Sequence, residues 1–254
     1  MSRKTVLILC QFSMSSSSEK FRQLAWQYIC LSPLLLLWTV PSAAQFSAEQ
    51  LEWLESDAEH PPAMEVNEGD LVFLESQSAK PEHHQSMHIT ITQETLRTGW
   101  ATVSQCHENL DRVPLLEIVF RPGKVRNLHV QEFHNIADAR PQGHRVILRQ
   151  VDAHSRICVQ SESRVMQRVD SASETTYEMS NGPFMRRFLD GYYPLILRLQ
   201  VDYPTDSLRL QDVQPAAQPG WEIRYDAGRI SLNGRFEGRL VTRFRFAPTH
   251  NAHD

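Results

Sequence analysis

The stretch LILRLQVDY, residues 195–203, places Leu195, Leu197, Leu199, Val201 and Tyr203 on one side of an extended chain and Arg198, Gln200 and Asp202 on the other. Strict alternation with one dry and one wet face is the pattern of an antiparallel strand that buries one side. The same rhythm runs outward in both directions. SMHITITQ from Ser86, GWATVSQC from Gly99, PLLEIVFR from Pro114, KVRNLHVQEF from Lys124, HRVILRQV from His144 and RICVQSESRVMQRV from Arg156 precede it. SLRLQDV, GWEIRYD, GRISLNGRF and GRLVTRFRF follow between Ser207 and Phe246. Turn material such as ENLDR, RPGK and ADARPQG separates most of the earlier segments, and no helical crossover intervenes. The pattern predicts a mainly β fold of one or two antiparallel β-sandwich-like modules.

Two short helices accompany the strands. In FSAEQLEWLESDAEH, Ser47 can cap, Gln50 can reach back and Phe46 can pack on Leu51, while HPP at 60–62 stops the helix. In NGPFMRRFLDGYYP, Asn181 as a cap, Pro183 early and Gly191 at the end bracket a two-turn helix at 183–190. Its apolar face would comprise Phe184, Met185, Phe188 and Leu189. Helices this short need something to lie on.

The N-terminal region has the order of a secretory signal. Lys20 and Arg22 precede the apolar run YICLSPLLLLWTV, and PSAAQ supplies small residues at Ser42 and Ala44. Cleavage would leave Gln45 as the first residue, and Met14 would serve as an alternative start. A retained anchor from about Leu24 to Ala44 is the competing reading, since that stretch is long enough to span. Pro33, Pro41 and Gln27 favour cleavage. The expected organisation is a signal peptide at 1–44, a short helix and acidic linker at 45–85, and a first β module at 86–170. A linker and short helix at 171–191 lead to a second β module at 192–248 and a tail at 249–254.

Two octapeptides suggest an internal repeat: ESRVMQRV from Glu162 and EGRLVTRF from Glu237. Both carry Glu first, Arg third and seventh, and apolar residues fourth, fifth and eighth. Outward Arg and Glu of this kind are explained by cross-strand charge pairs. What is repeated is therefore scaffold rather than a site.

The composition, 41% hydrophobic and 22% charged, is that of a globular protein. The net charge is −4. The first 44 residues hold four basic groups (Arg3, Lys4, Lys20, Arg22) and one acid (Glu19), so the remainder has 22 basic against 29 acidic, net −7. An acidic body argues against nucleic acid or anionic lipid as partner. No membrane span is expected once the signal is removed. Of four cysteines, Cys106 and Cys158 lie in the mature body, and two cysteines in an oxidising compartment make one disulfide. Eight of the eleven histidines fall between His83 and His154. His83, His84 and His88 are the closest group in sequence, but no HxH, HExxH or CxxC frames them, so no metal and no cofactor is expected.

Nor does a GxSxG elbow or phosphate-binding glycine loop occur. The densest aromatic and cationic segment contains Arg186, Arg187, Tyr192 and Tyr193, residue types favoured at interfaces. The expectation is an exported, periplasmic, non-catalytic protein that binds or helps assemble another envelope protein or polymer, through sheet edges or this segment. Two alternatives come from other classes: a periplasmic hydrolase using carboxylates or a metal, and a histidine-dependent metal-binding protein.

Overall fold

The computed structural model describes residues 5–9, 67–75, 81–171, 174–188 and 191–249. The helix expected from Ser47, and the apolar run and cleavage site of the expected signal, lie outside them. Strands dominate. They are β1 (Thr5–Leu9), β2 (Val72–Phe73), β3 (His84–Thr90), β4 (Trp100–Glu108), β5 (Val113–Val119), β6 (Val125–Gln142), β7 (Arg145–Arg164) and β8 (Met166–Asp170). The remainder are β9 (Thr175–Phe184), β10 (Arg186–Phe188), β11 (Gly191–Tyr193), β12 (Leu195–Asp202), β13 (Leu208–Gln214), β14 (Trp221–Asp226), β15 (Arg229–Glu237) and β16 (Leu240–Pro248).

Among the described residues one helix, α1 (Gln93–Thr98), joins β3 to β4. It was not expected from strand periodicity, although its ends are marked in the sequence. Thr92 caps it in a capping box with Thr95, and Gly99 closes it at φ 78°. A Cβ on Gly99 would stand 2.5 Å from the Met166 carbonyl, so the position suits glycine on steric grounds as well.

The strands form two sheets. The larger runs β11-β10-β1-β5-β7-β4-β3-β12-β15-β14, with β6 also on β7 and β2 on β15; the smaller runs β13-β16-β9-β8. Residues of both meet in one core. Ile89, Val103, Leu197, Leu199, Val201, Leu232 and Phe236 from the larger sheet cluster with Met166, Met179, Phe184, Val213, Phe244 and Phe246 from the smaller. The alternation quoted above is what delivers them, because Leu195, Leu197, Leu199 and Val201 are all buried while Arg198 between them is exposed. A smaller core gathers Leu116, Ile118, Ile136, Val146, Leu148 and Ile157 from β5, β6 and β7.

Two expectations are corrected here. The sheets are not wholly antiparallel: β3 pairs with β12, and β1 with β5, in parallel. The crossover a parallel pair requires is supplied for β3 and β12 by passage through the smaller sheet instead of by a helix. Pairing of β3 with β12 also joins the two expected β segments directly. Finally, the described part of the expected helix, 183–188, is not helical. Phe184 ends β9 opposite Leu240, and Arg186–Phe188 pairs with Gly191–Tyr193. Burial of Phe184 and Met185 and the strand ladders outweigh what two helical turns could supply.

The octapeptides occupy equivalent places. Glu162 and Arg164 end β7 in the larger sheet, and the chain enters the smaller sheet at Met166; Glu237 ends β15, and the chain enters the smaller sheet at Leu240. Strands β8 and β16 then flank β9, with both Met166 and Phe244 opposite Met179. The shared pattern is that of a strand changing sheets. Gly238 makes the second corner possible, since a Cβ there would fall 1.9 Å from the Asp70 carbonyl oxygen.

Cys106 and Cys158 are direct partners on β4 and β7 and form a disulfide with a Cα–Cα distance of 4.1 Å. It closes a sequence separation of 52 residues. Replacing both cysteines by serine is expected to lower stability by about 2–4 kcal/mol, read as a lower urea midpoint with a steeper slope, because the unfolded chain loses its cross-link and exposes more surface.

Candidate functional site

The face of β3, β4, β12, β15 and β14 turned away from the core is mainly polar, with Ile196 and Trp100 as apolar members, and strand register sorts it into rows. One row reads Glu222, Asn233, Arg198, Ser86, Cys106, Cys158, and the next Arg224, Ser231, Gln200, His88, Ser104, Gln160. Serines and an asparagine in the middle of these rows keep the surface low, while longer side chains stand at the sides. The result is a hollow of about 640 Å³ floored by Ser86, Ser104, Ser231 and Asn233. A second hollow of about 670 Å³ adjoins it, lined by Leu74, Pro81, Glu82, His84, Gly220 and Arg235. The two share Arg198, Glu222 and Asn233, so they form one trough. Five strands at about 4.8 Å spacing give it a width near 20 Å.

Most charges in the trough are already matched. Arg235 binds Glu82 through two bonds, Nε to Oε2 at 2.6 Å and Nη2 to Oε1 at 2.7 Å, and this pair is mostly buried. Arg224 meets Glu222 at 3.3 Å. At the far end, His88 lies 2.8 Å from Asp202, which also accepts from Arg229 at 2.7 Å. The Arg229 guanidinium in particular, with His88, holds the Asp202 carboxyl down at about 2. Arg198 differs. It is exposed at the centre of the trough and has no hydrogen-bond or ion-pair partner among the described residues. Its field reaches His84, whose pKa is lowered first by burial and then by Arg198, against an opposing Glu108 at 3.5 Å.

The aromatic and cationic residues singled out from the sequence do not form one surface. Arg186 is a structural tie. Its guanidinium takes both carboxylate oxygens of Asp111 and donates to the Pro194 carbonyl at 3.3 Å. It also stacks over Phe188 and Tyr193, at 5.4 and 5.6 Å from the ring centroids. Arg187 is exposed and lies over Tyr192 at 5.5 Å, with Arg239 on the same ring at 5.8 Å. Tyr192 and Arg187 are therefore brought together, and Arg186 and Tyr193 are turned to a different task.

The histidines separate by strand parity. His83 faces the interior, whereas His84 and His88 project into the trough. Among the described residues no three His, Cys, Asp or Glu side chains converge as metal ligands would. His83 is instead paired with His107, Nε2 to Nδ1 at 2.9 Å, with both rings buried. Gln105 Nε2 donates to His107 Nε2 at 3.1 Å, which leaves the His107 proton on Nδ1 to be donated to His83. His83 Nδ1 then carries a proton without an acceptor, and Gln85 Nε2 is similarly unpaired. Burial keeps both rings neutral. It pushes His107 down to about 3 and His83 well below the ordinary imidazole value, with each ring reinforced by histidine neighbours.

Sequence reasoning missed both the Arg198 trough and the His83–His107 pair. Alternation showed which residues point outward, but only register reveals that Ser86, Ser104 and Ser231 lie in adjacent rows around Arg198. No known protein-family model matches the chain, and no curated protein is significantly similar to it.

Two outcomes follow from these contacts. Arg186→Ala strands the half-buried Asp111 carboxylate and is expected to cost about 2 kcal/mol or more, whereas Arg187→Ala should stay within about 0.5 kcal/mol in urea titrations. The histidine pair makes stability fall in acid. The unfolded chain binds protons at both rings below about 6.5 while the folded chain does not, so stability is complete above that pH and declines below it. Each ring contributes up to about 1.4 kcal/mol per pH unit. Denaturation midpoints compared at pH 7.5 and 5 should show the loss, and His107→Gln should flatten it.

Proposed function

We propose that this chain is an exported, periplasmic, non-catalytic protein of sandwich-like architecture that binds or helps assemble another macromolecule of the envelope. The trough around Arg198 is the surface that engages it. Export rests on the charged, apolar and small-residue order of residues 20–44 and agrees with a body that carries one cross-strand disulfide. Among the described residues no helix is long and apolar enough to cross a membrane.

The observation that carries the binding reading is Arg198, an exposed guanidinium without an acceptor among the described residues, amid short hydroxyl and amide side chains. Guanidinium favours planar carboxylate in two-point contact. The serines and Asn233 around it offer hydrogen bonds beside carbon surface, with Met87 and Leu199 among the lining residues. A polymer that carries carboxylate groups together with less polar faces, such as sugar rings, fits that mixed lining. The matched pairs Glu82–Arg235 and Glu222–Arg224 hold the walls without adding net charge.

Purified peptidoglycan sacculi are a suitable probe, since they present amides, sugars and carboxylates together. The exported protein should co-sediment with them saturably, and added salt should weaken the association. Arg198→Glu should weaken it at least tenfold, while Arg209→Glu on the outward side of β13 should not. Wild-type protein that stays in the supernatant would sink this assignment of the trough.

A further inference from the structure

The connection between β5 and β6 brings three cations to the end of β7. The Lys124 N–H donates to the Arg121 carbonyl at 3.1 Å, and the Arg164 N–H donates to the Lys124 carbonyl at 2.9 Å, so the backbone itself holds Arg121, Lys124 and Arg164 together. Neither the Lys124 ammonium nor the Arg164 guanidinium has a hydrogen-bond or ion-pair partner among the described residues. Glu162, two positions before Arg164, is engaged by Arg126, which also lies over the Trp100 ring at 4.3 Å. Like charges pinned together repel, and burial adds to the cost. The Lys124 pKa is lowered first by burial and then by Arg121 and Arg164.

All three residues line a cavity of about 70 Å³ at the boundary between the two sheets. As the more exposed members of the lining they mark its open end, whereas Met87, Val103 and Phe184, all buried, mark its inner end. Buried Gln105 lies there too; its amide gives one N–H to His107 and has a second to offer. The volume is that of roughly two water molecules at about 30 Å³ each, which limits a guest to a short group. We propose that this cavity binds a small carboxylate with a short apolar tail, its oxygens held by Lys124 and Arg164 and its tail directed at Met87, Val103 and Phe184. Ammonium and guanidinium supply charged donors, and the guanidinium can hold a carboxylate at two points. The apolar inner end selects against a bare inorganic anion, and the small volume selects against a long acyl chain. The site uses none of the cations of the trough and does not depend on the trough's role.

Protein-observed NMR titrations with butyrate, n-butanol and sulfate at constant ionic strength test the site. Butyrate should shift the Lys124 backbone amide and the Gln105 side-chain amide saturably. Butanol lacks the charge and sulfate lacks the tail, so each should bind at least about tenfold more weakly. The double variant Lys124→Met, Arg164→Gln alters side chains outside the core and should weaken butyrate by about tenfold or more, the loss expected for a charged hydrogen bond. Arg209→Gln should leave butyrate binding unchanged. Three results would each overturn the proposal: no saturable shift with butyrate, an unchanged affinity in the double variant, or butanol bound as tightly as butyrate. Sulfate bound as tightly as butyrate would do the same, and would mark the cluster as the seat of an adventitious ion only.

Discussion

The twenty residues of β7 are the constraint around which the larger sheet is arranged. One edge of β7 pairs with β6 from Ser163 to Arg145. The other edge is divided: Arg156–Arg164 pairs with β4, and Arg145–Val151 pairs with β5. A single strand thus carries two branches. The β4 branch continues through β3, β12, β15 and β14, and the β5 branch through β1, β10 and β11. Asn135 donates to the Ala153 and His154 carbonyls where the register shifts, and His154 adopts φ 54°, so the irregular stretch between the branches is held by specific bonds.

This division separates the two surfaces of interest. The trough belongs wholly to the β4 branch, and Arg187 and Tyr192 to the β5 branch. Side-chain ties reinforce this arrangement. The Cys106–Cys158 bridge secures β4 to β7, and Arg186 on β10 reaches Asp111 in the connection between β4 and β5. The buried Glu82–Arg235 pair performs the comparable service within the trough wall, joining the approach to β3 with β15. Ion pairs in such positions specify geometry as much as they add stability.

Strand content, inward faces and the cysteine partners were legible in the sequence because each depends on short-range regularity or on a count. Leu195, Leu197, Leu199 and Val201 were assigned to the interior from alternation alone. What was not legible depends on contacts between distant segments. Nothing near Arg186 announces Asp111, and nothing near His83 announces His107. The segment 183–190 misled because PFMRRF satisfies a helical stripe and an extended chain about equally well, and the choice was made by neighbours such as Leu240. α1 was overlooked for the opposite reason: Thr92, Thr95 and Gly99 did mark its ends, but the strong strand periodicity on both sides obscured them. Sequence could not show that both octapeptides mark a change of sheet, because that depends on which strands they join.

The position of β16 has a consequence for the order in which the chain can acquire its structure. In the smaller sheet β16 lies between β13 and β9, an interior place taken by residues 240–248 of a 254-residue chain. During synthesis from the N terminus, β9 waits with one edge unpaired until residues 240–248 have been made. Phe244 and Phe246, both buried in the shared core, arrive with that last strand. Long-range pairing of this kind raises contact order and delays folding. Closure of the shared core therefore waits for β16, and until then the apolar faces of β9 and β12 have only part of their final partners.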